Sequence, residues 1–121
     1  CPSNPFVSVD PVLKLPGVQA ALDGSDAPVV AVSPIVGGQA LKGPAAKMMY
    51  ELGMPRDPVS VARHYAGRID GLVIDEADPD SADSVREAGP AATVTQTVMV
   101  TLADREQLAR DTLAFAASLR A

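Results

Sequence analysis

A glycine-rich segment with a single lysine, residues 33–44, directly follows a run of apolar residues. The segment begins at Ser33, and its glycines and lysine are Gly37, Gly38, Lys42 and Gly43. Glycine lets a backbone approach a ligand closely, and a helix predicted from Pro44 would direct free N–H groups toward the segment. With Lys42 as a mobile charge, this pattern favours a phosphate site; a glycine-rich turn with a solvated lysine is the alternative. A Walker loop is excluded because Pro44 stands where its lysine belongs.

Three carboxylates follow a second apolar run. Asp75, Glu76 and Asp78 come directly after residues 71–74. In open parallel sheets, ligands bind beyond the carboxyl ends of the strands, where carboxylates can hold Mg²⁺ beside a phosphate. The alternative is the solvated entrance of an ordinary loop, so these residues alone leave a metal role open.

Two further features offer polar contacts. His64, the only histidine, belongs to a helix predicted from Pro58, where a structural role and a ligand-binding role are both open. Ser3 and Asn4 lie between prolines that stiffen the backbone. This pair could hydrogen-bond a base, a ribose or a phosphate, and an ordinary turn is the alternative.

The composition excludes several classes of protein. The 121 residues carry 10 lysines and arginines against 15 aspartates and glutamates, and this net charge of −5 disfavours binding to nucleic acid. One cysteine and one histidine exclude an internal disulfide and a multi-histidine metal site. No apolar run is long enough to span a bilayer and no signal peptide is visible. We therefore expect a cytoplasmic location without a membrane partner.

Apolar runs and capping signals predict the elements that would position these groups. Strands are predicted at residues 28–32, 71–74 and 91–95. Helices are predicted at residues 16–22, 45–52 and 82–88, and two further helices are predicted to begin at Pro58 and at Thr101. Val61, Tyr65 and Ile69 would form the apolar stripe of the helix from Pro58. Residues 1–8 and 33–38 are predicted loops.

The alternation of strands and helices predicts an α/β fold with a parallel sheet, a Rossmann-like three-layer fold. Three strands make a small sheet with two open edges, and the chain begins at Cys1 without a methionine. We therefore expect residues 1–121 to be a fragment of a longer protein.

Several segments together resemble one known family, the 2-phospho-L-lactate transferases. They are Pro2 to Pro5, Ser8 to Leu13, Pro16 to Val18, Val32 to Gly38, Lys42 to Met49, Val61 to Tyr65, Leu72 to Asp75, and Thr95, Thr97 and Met99 before the last predicted helix. The similar segments follow one another in an unbroken order over nearly the whole chain. This family builds the deazaflavin redox cofactor of methanogens and actinobacteria, and it includes the phosphoenolpyruvate transferase of actinobacteria.

The resemblance implies a transferase whose donor is a guanosine-diphospho compound carrying a lactyl or enolpyruvyl group. The acceptor would be a ribityl deazaflavin, whose terminal hydroxyl attacks the distal phosphorus while guanosine monophosphate (GMP) leaves. Mg²⁺ would be the cofactor, and the intact protein would form a homodimer. The resemblance also implies that residues 1–121 are the carboxyl-terminal section of a single Rossmann-like transferase domain. The family's metal-binding and acceptor-binding carboxylates lie mainly before Cys1, so we expect residues 1–121 alone to be inactive.

The resemblance supports the assignments made from loop chemistry. Ser3 and Asn4 would lie at the donor nucleotide, and the glycine-rich loop near its phosphates or the acceptor. The candidate substrate-binding residues are Ser3, Asn4, Ser33, Gly37, Gly38, Lys42, Gly43 and His64. Catalytic and metal-binding residues are left unassigned.

The sequence departs from the family pattern at Gln96, a position that is frequently acidic, so no catalytic carboxylate is expected there. A rival interpretation comes from a related group of sugar-nucleotide-binding regulatory proteins, which share the architecture and bind without phosphoryl transfer. The segments Ser33 to Gly38 and Arg63 to Tyr65 favour the transferase.

Overall fold

Three parallel strands form the central sheet. In the computed structural model, which describes residues 1–41 and 43–120, they are β1 (Val30–Val32), β4 (Gly71–Asp75) and β5 (Ala91–Thr95). Strand β4 lies in the middle, where Gly71 is opposite Val30 of β1 and Ala91 of β5. Every residue of β4 is buried, which explains its continuous apolar run. The predicted parallel sheet is confirmed, although β1 is shorter than expected.

Helices cover both faces of this sheet. The helices that follow β1 in the chain are α3 (Ala45–Glu51), α4 (Pro58–His64), α5 (Ser81–Glu87) and α6 (Leu102–Ser118). On one face Leu72 shares a core with Val61 of α4 and Val85 of α5. On the other face Val73 packs with Leu108 of α6. The predicted α/β fold with three Rossmann-like layers is therefore confirmed.

Helix α6 begins at a capping box, as predicted. The Asp104 N–H donates to Thr101 Oγ1, and the Asp104 carboxylate accepts from the N–H groups of Thr101 and Val100, at 2.8 and 2.9 Å. The hydrogen bonds from Thr101 and Val100 hold the pKa of the Asp104 carboxyl below its usual range. Further along α6, Phe115 packs so close to Gly71 that a Cβ there would lie 2.6 Å from the ring.

Among the described residues, no helix combines the length and the apolar character needed to cross a membrane.

Residues 1–4 form the predicted loop, but the loop predicted for residues 5–8 is wrong, because this part of the segment is helical. A π-helical turn, Pro5–Val9, continues into α1 (Asp10–Leu13), and α2 (Val18–Asp23) follows. The carboxamide oxygen of Asn4 accepts from the N–H groups of Phe6 and Val7, at 2.9 and 3.3 Å. This cap pairs two donors that a helical turn would otherwise leave without partners.

A short antiparallel hairpin lies in the region predicted as a flexible loop. It joins β2 (Ile35–Val36) to β3 (Gln39–Ala40). Gly37 and Gly38 form its two-residue turn with φ values of 56° and 78°, a left-handed conformation that glycine adopts without strain. The Gly37 N–H also donates to Asp78 Oδ2 at 2.9 Å, so the turn is tied to the loop after β4.

Candidate functional site

A pocket of about 460 Å³ opens at the carboxyl edge of the sheet. Its walls include Ser33, which follows β1, and Thr97, which follows β5. Ser3 and Asn4 contribute from the amino-terminal segment, and Arg105 contributes from α6. The volume is typical of small-molecule sites, and open parallel sheets bind ligands at this edge. The pocket therefore brings together three of the candidate substrate-binding residues and two residues, Thr97 and Arg105, that were not among the candidates.

A buried carboxylate at the end of β4 fixes the wall that contains Thr97. Asp75 is only 3% exposed. Its Oδ2 accepts from both the N–H and the Oγ1 of Thr97 at 2.8 Å, and its Oδ1 accepts from the Ala77 N–H at 2.9 Å. Burial raises the pKa of the Asp75 carboxyl, but these hydrogen bonds outweigh burial and hold that pKa below its usual range. Asp75 is therefore an ionised anchor for the loop after β5.

The polar groups of Ser33 and Asn4 already have protein partners. Ser33 Oγ lies 3.2 Å from both the carbonyl oxygen and the N–H of Ile35, donating to the first and accepting from the second. Asn4 caps the π-helical turn with its oxygen, and its Nδ2 lies 3.7 Å from Met48 Sδ. These contacts hold both residues in the pocket wall, and their part in substrate binding stays a prediction.

The three glycines of the glycine-rich segment do not line the pocket, although other residues of the segment do. Gly37 and Gly38 make the hairpin turn, and Gly43 precedes α3 with a φ of 71°. Lys42 lies outside the described residues. The nearby residues that line the pocket are Val36 and Leu41. Substrate binding by the three glycines and Lys42 stays a prediction.

His64 does not line this pocket and is paired with a buried aspartate. Its Nε2 lies 3.0 Å from both carboxylate oxygens of Asp10, so this nitrogen carries the proton and donates it. Asp10 is 6% exposed, and the Phe6 ring packs edge-on against the imidazole at 4.9 Å. Because α4 ends at His64, Tyr65 and Ile69 join the core from beyond the helix, which corrects the predicted stripe. The pair ties α1 to α4, which fits a structural role, and a part for His64 in substrate binding stays a prediction.

The carboxylates after β4 do not fit a magnesium site by themselves. Asp75 uses both oxygens for hydrogen bonds, and Asp78 Oδ2 accepts from Gly37. Across residues 1–41 and 43–120, no three His, Cys, Asp or Glu side chains are grouped so that they could hold a metal ion. Mg²⁺ therefore stays a prediction from the resemblance.

Sequence reasoning missed Thr97 and Arg105 as pocket residues. Thr97 follows the predicted strand at residues 91–95 by two positions, and a hydroxyl just past a strand's carboxyl end was the available signal. Arg105 is four residues beyond the predicted helix cap at Thr101, which places it close to the same edge.

Comparison with known proteins identifies relatives. Residues 1–117 match the family described as 2-phospho-L-lactate transferase CofD. The chain is 37% identical over 120 residues to a phosphoenolpyruvate transferase of Streptomyces coelicolor, which covers 98% of this chain and 38% of the relative. It is 39% identical over 118 residues to a 2-phospho-L-lactate transferase of Methanocaldococcus jannaschii, covering 98% of this chain and 36% of the relative. The chain thus spans less than two fifths of the length of these relatives.

Replacing the anchor carboxylate tests its role. We expect Asp75→Asn to lower the free energy of unfolding at pH 7 by about 1–3 kcal/mol, because an amide cannot accept all three hydrogen bonds. Since the folded-state pKa of Asp75 lies below the ordinary value of 3.8, its stabilisation is present above that value and is lost as the pH falls through the lowered pKa. Chemical denaturation at neutral and acidic pH measures both effects.

Asp83→Asn is the matched control, because Asp83 is 91% exposed and pairs with Arg86 at the surface. We expect its stability to change by less than about 0.5 kcal/mol. Equal stability of Asp75→Asn and the unmodified protein at pH 7 would show that the carboxylate is not the anchor.

Removing the imidazole separates the two alternatives for His64. We expect His64→Ala to lower the free energy of unfolding by about 1–3 kcal/mol, because it leaves the buried Asp10 carboxylate without its closest donor. Arg63→Ala, at the exposed neighbouring position, should leave stability nearly unchanged. Denaturation curves that show no difference between these two variants would argue against the structural role.

Proposed function

Because the chain belongs to the 2-phospho-L-lactate transferase CofD family, we propose that the intact protein transfers a phospholactyl or phosphoenolpyruvyl group. The donor is a guanosine-diphospho compound, the acceptor is the ribityl hydroxyl of a deazaflavin, and GMP is released. Relatives with both kinds of name match the chain at 37% and 39% identity. Identity alone does not choose between the two donors, so the experiment includes both.

The pocket at the carboxyl edge of the sheet is the observation that carries this proposal. Its lining combines apolar side chains, which suit the flat face of a base, with hydroxyl and amide groups, which suit a ribose and phosphates. The apolar members are Pro34, Val36, Leu41 and Met99, and the polar members include Ser3, Asn4, Thr97 and Arg105. Together these groups support the binding of a nucleotide.

The proposed reaction forms one bond and breaks one. The ribityl oxygen bonds to the phosphorus that carries the lactyl or enolpyruvyl group. The bond from this phosphorus to the bridging oxygen breaks, and GMP leaves with that oxygen and the electron pair. The hydroxyl proton passes to a base or to solvent, and the product is a phosphodiester. Such a transfer depends mainly on positioning the two substrates and on stabilising charge.

The described pocket residues bind and orient the donor in this proposal. Within residues 1–41 and 43–120, the pocket lining contains neither a carboxylate nor an imidazole. The described lining therefore supplies no side chain that would accept the proton of the ribityl hydroxyl. Arg105 contributes hydrogen-bond donors that match phosphate oxygens. Thr97 already donates its hydroxyl and its N–H to Asp75, so its Oγ1 is left as an acceptor.

GMP release by the intact protein tests the proposal. The protein is incubated with Mg²⁺, the deazaflavin acceptor and each of the two donors in turn, and GMP and the phosphodiester product are quantified. We expect both products in equal amounts with at least one donor. Donor binding without GMP release would favour a nucleotide-binding regulatory protein, and absence of both binding and release would contradict the proposal.

We predict that residues 1–121 by themselves release no GMP under the same conditions. The described pocket lining offers no proton acceptor, and the described residues offer no metal-binding group of side chains. The assay compares the purified 121-residue chain with the intact protein, and circular dichroism verifies that the shorter chain is folded. Turnover close to that of the intact protein would contradict the prediction.

A further inference from the structure

Arg105 is the one charged side chain among the described residues that line the 460 Å³ pocket. The other polar side chains in the described lining are neutral alcohols, an amide and the Cys1 thiol. Arg105 is an exposed residue, and a lone guanidinium beside otherwise neutral groups attracts an anionic ligand. The charge of Arg105 therefore favours an anionic ligand over a neutral one.

The backbone of Arg105 is held in place by the surrounding structure. It is the fourth residue of α6, one residue after the capping-box aspartate Asp104. One turn further along, Leu108 is buried against Val32 and Val73 of the sheet. The start of the Arg105 side chain is therefore fixed relative to the carboxyl edge, while its long stem lets the guanidinium adjust to a ligand.

Arg105 has no ion pair within the part of the chain that the structure describes. Its neighbours one turn away along α6 are Thr101, Leu102, Leu108 and Ala109. Elsewhere on the surface, Arg110 pairs with Glu106 at 3.4 Å and Arg86 with Asp83 at 2.7 Å. In a chain with 15 acidic residues against 10 basic ones, an arginine that faces a pocket without a carboxylate partner is available for a ligand anion.

We propose that Arg105 binds the diphosphate of the donor nucleotide, an inference that rests on the proposed function. The planar guanidinium fork presents paired N–H donors that match two phosphate oxygens. A diphosphate would otherwise enter a protein section whose net charge is −5, and Arg105 offsets that repulsion locally. Arg105 thereby determines that the pocket accepts a nucleotide rather than a nucleoside.

Binding of guanosine diphosphate (GDP), GMP and guanosine to the intact protein tests this assignment. We expect Arg105→Ala to weaken GDP binding by about 10- to 100-fold, the range for a lost charged hydrogen bond, and to leave guanosine binding within about twofold. Arg105→Lys keeps the charge but lacks the guanidinium fork, so its affinity for GDP should lie between those of the unmodified protein and Arg105→Ala. Calorimetry measures the dissociation constants of GDP and GMP, and competition against a fluorescent guanine nucleotide measures that of guanosine.

Arg110→Ala is the matched control, because Arg110 lies on the same helix and pairs with Glu106 instead of lining the pocket. It should bind all three ligands as the unmodified protein does. The thermal midpoint of Arg105→Ala should stay within about 1 °C, since Arg105 makes no ion pair among the described residues.

The binding results distinguish a wrong role for Arg105 from a wrong function for the protein. If the unmodified protein binds GDP but Arg105→Ala binds it equally well, or loses GDP and guanosine binding to the same extent, the assignment of Arg105 is wrong and the proposed function stands. If the unmodified protein binds neither GDP nor guanosine, the proposed function fails and the role of Arg105 fails with it.

Discussion

The ionised carboxylate of Asp75 is the contact on which the candidate site depends. It ends the central strand β4 and accepts three hydrogen bonds, two from Thr97 and one from Ala77. These bonds offset the cost of burying a charge, and they hold the segment after β5 against the end of the neighbouring strand. That segment supplies Thr97, Val98 and Met99 to the pocket and then leads into α6, which carries Arg105. One buried aspartate thus connects the sheet to the pocket wall.

The opposite wall depends on polar contacts of the amino-terminal segment. Asn4 caps the π-helical turn that follows it, and Asp10 at the start of α1 is bound by His64 at the end of α4. Through these contacts Ser3 and Asn4 are placed beside a sheet that lies far from them in sequence. The pocket therefore joins two segments: Asp75 fixes one of them, and the Asn4 cap and the Asp10–His64 pair fix the other.

The parallel sheet and the helices that flank it were predictable from the sequence, because apolar runs, prolines and glycines mark strand and helix ends. The hairpin has no clear sequence signal, because its strands have only two residues each. Gly37-Gly38 is a typical hairpin turn, but the same glycines also fit a loop whose backbone approaches a ligand closely. The π-helical turn was missed because its stability comes from the Asn4 side chain rather than from apolar periodicity. The pairing of His64 with Asp10, 54 positions apart in the chain, has no local signal.

In the proposed function, the pocket between Thr97, Arg105 and the amino-terminal segment is the donor site. A crystal structure of the intact protein with bound GDP would show whether this is so. We expect the diphosphate within hydrogen-bonding distance of the Arg105 guanidinium and the nucleoside between Ser3 and Thr97. GDP bound elsewhere on the protein, with this pocket filled only by solvent, would refute this assignment.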